Sequence, residues 1–303
     1  MTILFLLLVC IIGMCTPAQT AINAQLQIRL NSAFAATMVA FLIGTIVLFL
    51  INIPVLGSMV TGLAGIPWYA WLGGVFGFAA LTSFVILFPK IGSIQTVLLP
   101  ILGQIAMSMI IDSTGLFGAE VKPMNPMRIA GTLVAVAGVF MVVLKKGEKS
   151  DMHHGHRILW QALGVVAGAM LAAQSAVNGT LGVCLNSPVQ AAFISSLIST
   201  VILFLLILSI RNERRCLAGM FPIKGPLWIW IGGLLGLAIV IGYAAFAPIL
   251  GIGLLSVVSI LGQLGASILI DRFGFFKARK VHVSLTQYLG IAVVLAGVVL
   301  IYF

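Results

Sequence analysis

Apolar runs follow one another along almost the whole chain, each about 20 residues long and therefore able, at ~1.5 Å rise per residue, to cross a ~30 Å hydrocarbon layer. Stretches such as "ILFLLLVCIIG" do not alternate apolar with polar positions, as strands of a membrane barrel must. The pattern predicts an all-α integral membrane protein with ten transmembrane helices. They fall near residues 3–25, 33–53, 69–88, 92–112, 127–144, 158–180, 190–210, 227–247, 252–270 and 285–303.

The pattern also occurs twice. A shift of 155 residues superposes Gln19 on Gln174, Asn23 on Asn178, and Asn31–Ser32 on Asn186–Ser187. A shift of 159 superposes Trp71 on Trp230, Gly77 on Gly236, "LGQ" at 102–104 on 261–263, Asp112 on Asp271, and "AG" at 137–138 on 296–297. The chain therefore reads as two related five-helix units, 1–144 and 158–303, joined by a basic, histidine-bearing linker at 145–157. The second unit carries a four-residue insertion between its second and third spans. An odd number of spans per unit makes the repeats inverted.

Charge tests that inversion. With loops numbered alternately, fourteen of the 16 Lys and Arg residues fall on one side and only Lys122 and Arg128 on the other. Such a bias places the basic loops in the cytoplasm and both termini outside it. The net charge of +10 then needs no nucleic-acid partner, because topology signals beside anionic headgroups account for it. Composition agrees: 61% of residues are hydrophobic and 7% charged, against ~25% charged in an ordinary soluble domain. The first apolar run resembles a leader, but its repeat at 158–187 cannot be one, so both are read as spans.

"PAQTAINAQL" in the first helix, "LGQ" followed by "DSTGLFG" after the fourth, and "AG" in the last helix of each unit resemble the YdcZ-like branch of the drug/metabolite transporter superfamily. The resemblance implies an inner-membrane protein built as a fusion of two antiparallel units, a pseudo-dimer within one chain, with a homodimer as a further option. Small multidrug exporters of that superfamily carry a glutamate in the first helix for cation/proton exchange. Here the comparable stretch holds only Gln19 and Asn23, so that mechanism is not supported.

Gln19 and Asn23 share a helix face, as do Gln174 and Asn178. Gln104 and Gln263 are expected near mid-membrane. Buried carboxamides need partners. Two readings stay open for these six residues: contact with a substrate, or interhelical hydrogen bonds worth ~0.6 kcal/mol each. Asp112 and Asp271, expected at opposite rims of the bilayer, are candidates for coupling or gating, with solvated helix ends as the plainer account. Gly73 with Gly77, and Gly232 with Gly236, form GxxxG pairs that predict close helix packing. Gly131 with Gly138, and Gly290 with Gly297, predict a seam between the units.

His153, His154 and His156 read as a solvated connector, and the four cysteines show no metal-ligand spacing, so neither a metal nor any other cofactor is expected. No catalytic motif is present, which argues against an enzyme. The function expected is alternating-access transport of small polar metabolites or organic amines across the inner membrane. The alternatives are a lipid flippase or a non-transporting scaffold whose amides only lock helices together.

Overall fold

A serine following an asparagine begins the second helix of each unit, and the local chemistry shows why. Asn31 and Asn186 adopt left-handed backbone, with φ of 52° and 50°, which ends the preceding helix. Ser32 and Ser187 then cap the next one, their Oγ atoms accepting from Ala35 N at 2.9 Å and Gln190 N at 3.3 Å. In this computed structural model the described residues are 2–143, 154–218, 226–278 and 284–302. His153 and the side chains of His154, His156 and Asp271 lie outside the described residues.

Among the described residues all regular structure is helical. The first unit contains α1 (Thr2–Leu30), α2 (Ala33–Asn52), the short α3 (Leu56–Gly62), α4 (Gly73–Thr114) and α5 (Pro126–Val143). The second contains α6 (His154–Cys184), α7 (Pro188–Ser209), the short α8 (Arg211–Ala218), α9 (Ile231–Leu250), α10 (Ile252–Phe273) and α11 (Leu285–Tyr302). Among the described residues seven helical segments are long and apolar enough to cross a membrane, and Leu99–Thr114, Pro126–Met141 and Tyr288–Ile301 are shorter apolar helices.

One element departs from expectation. α4 runs without interruption through both predicted spans at 69–88 and 92–112, whereas their counterparts are separate helices divided at Gly251. Gly251 has φ 79° and ψ 158°, a conformation open essentially to glycine alone. α4 is nevertheless not a rod. Leu99 Cβ and Leu87 Cδ1 lie 3.0 and 3.6 Å from where a Cβ on Gly164 would stand. A straight helix would separate residues twelve apart by ~18 Å, so the run bends sharply between Leu87 and Leu99. Pro89, which lacks a backbone donor, lies inside that bend. In the second unit the hydroxyls of Tyr243 and Ser259 hydrogen-bond across the Gly251 break. Both units thus fold their third and fourth segments back towards one another, by a bend in one copy and a break in the other.

The units interlock. α1 packs on α9 and α10 of the second unit, α6 packs on both arms of α4, α2 pairs with α7, and α5 pairs with α11. Polarity is inverted relative to a soluble protein: on α1, Leu4, Leu7, Ile11 and Met14 are exposed, while Gln19, Thr20 and Asn23 are buried. An apolar exterior of this kind is stable against lipid tails.

A candidate translocation path

The two repeated motifs meet each other. A Cβ added to Gly236 or Gly232 in α9 would collide with the amides of Gln19 and Asn23 in α1. A Cβ added to Gly77 or Gly73 in α4 would collide with those of Gln174 and Asn178 in α6. The GxxxG spacing predicts only that helices approach. The missing side chains also make room for the amides of the opposite unit, so each Gln-Asn pair is seated on the other repeat's glycines.

Gln19 and Gln174 both line one cavity of about 40 Å³ between the units, together with Thr16, Phe41, Phe84 and Ser196. At ~30 Å³ for one water's share of the liquid, that is room for about one or two waters and for no metabolite. Among the lining residues none is charged. From this centre α1 continues to Asn23 and Gln27, at one end of the bundle, and α6 continues to Asn178, at the other. A cavity of about 450 Å³ lies at the first end, lined by Gln25, Gln27 and Glu213. One of about 210 Å³ lies at the second, lined by Asp112, Glu120 and Thr180.

Several polar atoms along this line are buried with no hydrogen-bond partner: both amide atoms of Asn23, Oδ1 of Asn178, Oε1 of Gln27, and the hydroxyls of Thr16 and Ser195. Leaving such a group unsatisfied costs ~1–3 kcal/mol, so a run of them calls for a cause other than helix locking. Gln27 is not among the residues that the sequence singles out. It continues the Gln19–Asn23 face by one more helical turn, which spacing alone could have shown, but its repeat counterpart is Gly182 and a search for duplicated amides passes over it.

Gln104 and Gln263 behave differently. They hydrogen-bond each other in both directions, at 3.5 and 3.3 Å, and Gln263 also donates to Ser259 at 3.0 Å. Neither lines the central cavity. As residues related by the repeat and bonded to each other, they mark the pseudo-two-fold axis between the units. Thr45 and Thr200, also repeat-related, mark it again with a hydroxyl pair at 3.0 Å. At the α5–α11 contact, a Cβ on Gly138 would stand 2.7 Å from the Gly290 carbonyl, and one on Gly297 would stand 2.6 Å from that of Gly131.

Asp112 is not a solvated helix end. It is 1% exposed and accepts from Ile252 N and Gly253 N, each at 3.0 Å, which places it on the N-terminus of α10 across the chain break. Arg128 Nη2 lies 2.6 Å from its Oδ2. Lys122 donates to Leu250 O at 2.7 Å, on the carboxyl end of α9, and Arg128 Nη1 donates to Lys122 O at 3.0 Å. The two basic residues that depart from the charge bias are therefore both used to close the Gly251 break. Repeat counterparts of Lys122 and Arg128 are Val281 and Gln287, so these two basic residues are not duplicated.

The family model described as "Putative inner membrane exporter, YdcZ" matches residues 4–141 and again 159–300, one copy on each unit. No curated protein matches the sequence. Twenty-five solved chains match the fold. One of them, described only as "Crystal structure of protein", aligns with a TM-score of 0.63 at 15% identity, over 96% of this chain and 95% of its own. At that identity the likeness shows the fold alone. With nearly its whole length matched in two tandem copies, this chain belongs to the YdcZ family of inner membrane transport proteins.

Proposed function

We propose that the protein is a secondary transporter whose substrate passes between its two inverted units by alternating access, with ten membrane segments arranged as five and five. One observation carries this reading: the duplicated Gln-Asn faces converge from opposite ends on a single cavity lined by both Gln19 and Gln174. Each unit contributes one half of the path, and the amide of Asn23 and the Oδ1 of Asn178, neither with a hydrogen-bond partner, stand one helical turn beyond the centre in opposite directions. Amides without charge suit small polar metabolites or organic amines, whose donors and acceptors they match at little cost in selectivity. No carboxylate lines the centre, so substrate movement is not tied there to proton exchange. Gln104 and Gln263 would have to part before either could touch a substrate; while paired they act as a pin on the axis.

Asp112, with Lys122 and Arg128, holds the end that the charge bias places outside the cytoplasm. Val281 and Gln287 stand at the repeat positions of Lys122 and Arg128, so the two ends differ in sequence, as a gate with a preferred resting side requires. Uptake of isotope-labelled amines and small polar metabolites into proteoliposomes tests the proposal. Q19A/Q174A should abolish flux while the protein remains folded and abundant. Undiminished flux in that variant would remove the central cavity from the path, and loss of folding without any flux in the parent would favour a scaffold.

A further inference from the structure

The larger end cavity, of about 450 Å³, is bounded by the end of α1, the start of α2, the first arm of α4 and the short helix α8. Its polar lining consists of the amides of Gln25, Gln27 and Asn31, the hydroxyl of Ser32 and the carboxylate of Glu213. Glu213 is the one charged lining residue among those described, and Gln27, a second lining residue, has a buried Oε1 that no donor in the protein meets. Glu213 also accepts from the hydroxyl of Ser32, the residue that caps α2, so its carboxylate is held against the cavity by a fixed element. Arg211, Arg214 and Arg215, on the same short helix, are exposed to solvent, where ions screen them. The remaining wall is apolar and aromatic, with Ile28, Phe34, Ile86 and Phe88.

A carboxylate and an undonated amide oxygen ask for a positively charged N–H donor, and an adjoining apolar wall asks for a hydrocarbon tail. An anion would meet like charge, and a neutral alcohol would leave the carboxylate without a counter-charge. We propose that this groove binds an amphipathic primary or secondary amine in its ammonium form. The head lies between Glu213 and Gln27, and the tail lies along Phe34 and Phe88. Binding stands on the groove's own lining. That the groove is a port of the transport path, delivering the amine to Asn23 and Gln19, rests on the function proposed above.

The test is a calorimetric titration of the full chain in phosphatidylcholine nanodiscs with hexylammonium chloride at neutral pH, with hexanol as the uncharged control. Saturable binding of hexylammonium and not of hexanol is expected. E213Q, which keeps an acceptor for Ser32 and loses only the charge, should weaken binding about tenfold or more. Q27L, which leaves Glu213 untouched, should weaken it several-fold and serves if E213Q does not fold. Adding phosphatidylethanolamine to the nanodiscs separates two sources of the same chemistry: competition identifies a lipid headgroup, and its absence a free amine. Equal binding of hexanol, or hexylammonium binding that neither substitution alters, would overturn the inference. Binding that follows these variants while proteoliposome flux is absent would preserve the site and remove only its role as a port.

Discussion

Replacing Asp112 by asparagine changes one oxygen to an amide and leaves the volume almost unaltered, so its consequences report on charge and hydrogen bonding alone. Three contacts converge on the carboxylate: Ile252 N and Gly253 N at 3.0 Å and Arg128 Nη2 at 2.6 Å. The substituted side chain could still accept one backbone bond. It would lose the second, and its own N–H groups would face a guanidinium that is only 14% exposed. Breaking a buried pair costs ~3–5 kcal/mol, reduced here because Arg128 reaches water, and loss of a helix cap costs ~0.5–2 kcal/mol. A total of about 3 kcal/mol follows, which at ~2 °C per kcal/mol for a chain of this size lowers Tm by about 6 °C. Thermal unfolding of the purified protein, followed by tryptophan fluorescence, measures it. R128M should be destabilised similarly, and D112N/R128M should lose much less than the sum of the two, because each single change has already broken the pair. E120Q, at an exposed lining residue of the same cavity, serves as the control. A D112N variant within about 1 °C of the parent would refute the capping account.

Other substitutions probe the remaining contacts. G236A places a methyl against Gln19 and should cost ~1–3 kcal/mol by overpacking, with flux lost more completely than folded protein in a proteoliposome assay. Q104A should destabilise by ~1–3 kcal/mol because it strands Gln263, whereas Q104L/Q263L, removing both partners, should be closer to neutral in the same melting assay. G138V should separate α5 from α11, since even a single methyl there would stand 2.7 Å from the Gly290 carbonyl; loss of monodispersity on size-exclusion chromatography checks it.

Much of this arrangement is legible without coordinates, because duplication exposes what one copy hides. The pairing of Gln19 with Gln174, and of Asn31–Ser32 with Asn186–Ser187, identifies both units and their equivalent turns. Contact is a different matter from equivalence. That Gln19 rests on Gly236 and Asn23 on Gly232 joins helices more than 200 residues apart, and no shift of the sequence against itself reports which helices touch. Asp112 is hard to judge from sequence for the same reason: its backbone partners, Ile252 and Gly253, lie 140 and 141 residues away on the other unit, and only its ion-pair partner Arg128 is near in sequence. The continuity of α4 escapes a sequence reading because the two spans at 69–88 and 92–112 are separately long enough to be distinct helices, whereas one helical element sharply bent between Leu87 and Leu99 carries both. Gln27 and Glu213 are passed over because neither has a polar counterpart of the same type, at Gly182 and Ser58 respectively.

The central claim is that Asn23 and Asn178 belong to one path opened from one end at a time. Single cysteines at these two positions, in a protein freed of Cys10, Cys15, Cys184 and Cys216, can be labelled by a membrane-impermeant maleimide added to either side of sealed vesicles. The account predicts that N23C reacts only from the α8 side and N178C only from the Asp112 side. It also predicts that D112N, by loosening the latter end, raises N178C labelling and lowers that of N23C. Reaction of both positions from one side, or a rise at both together in D112N, would contradict alternating access and point to a continuous pore.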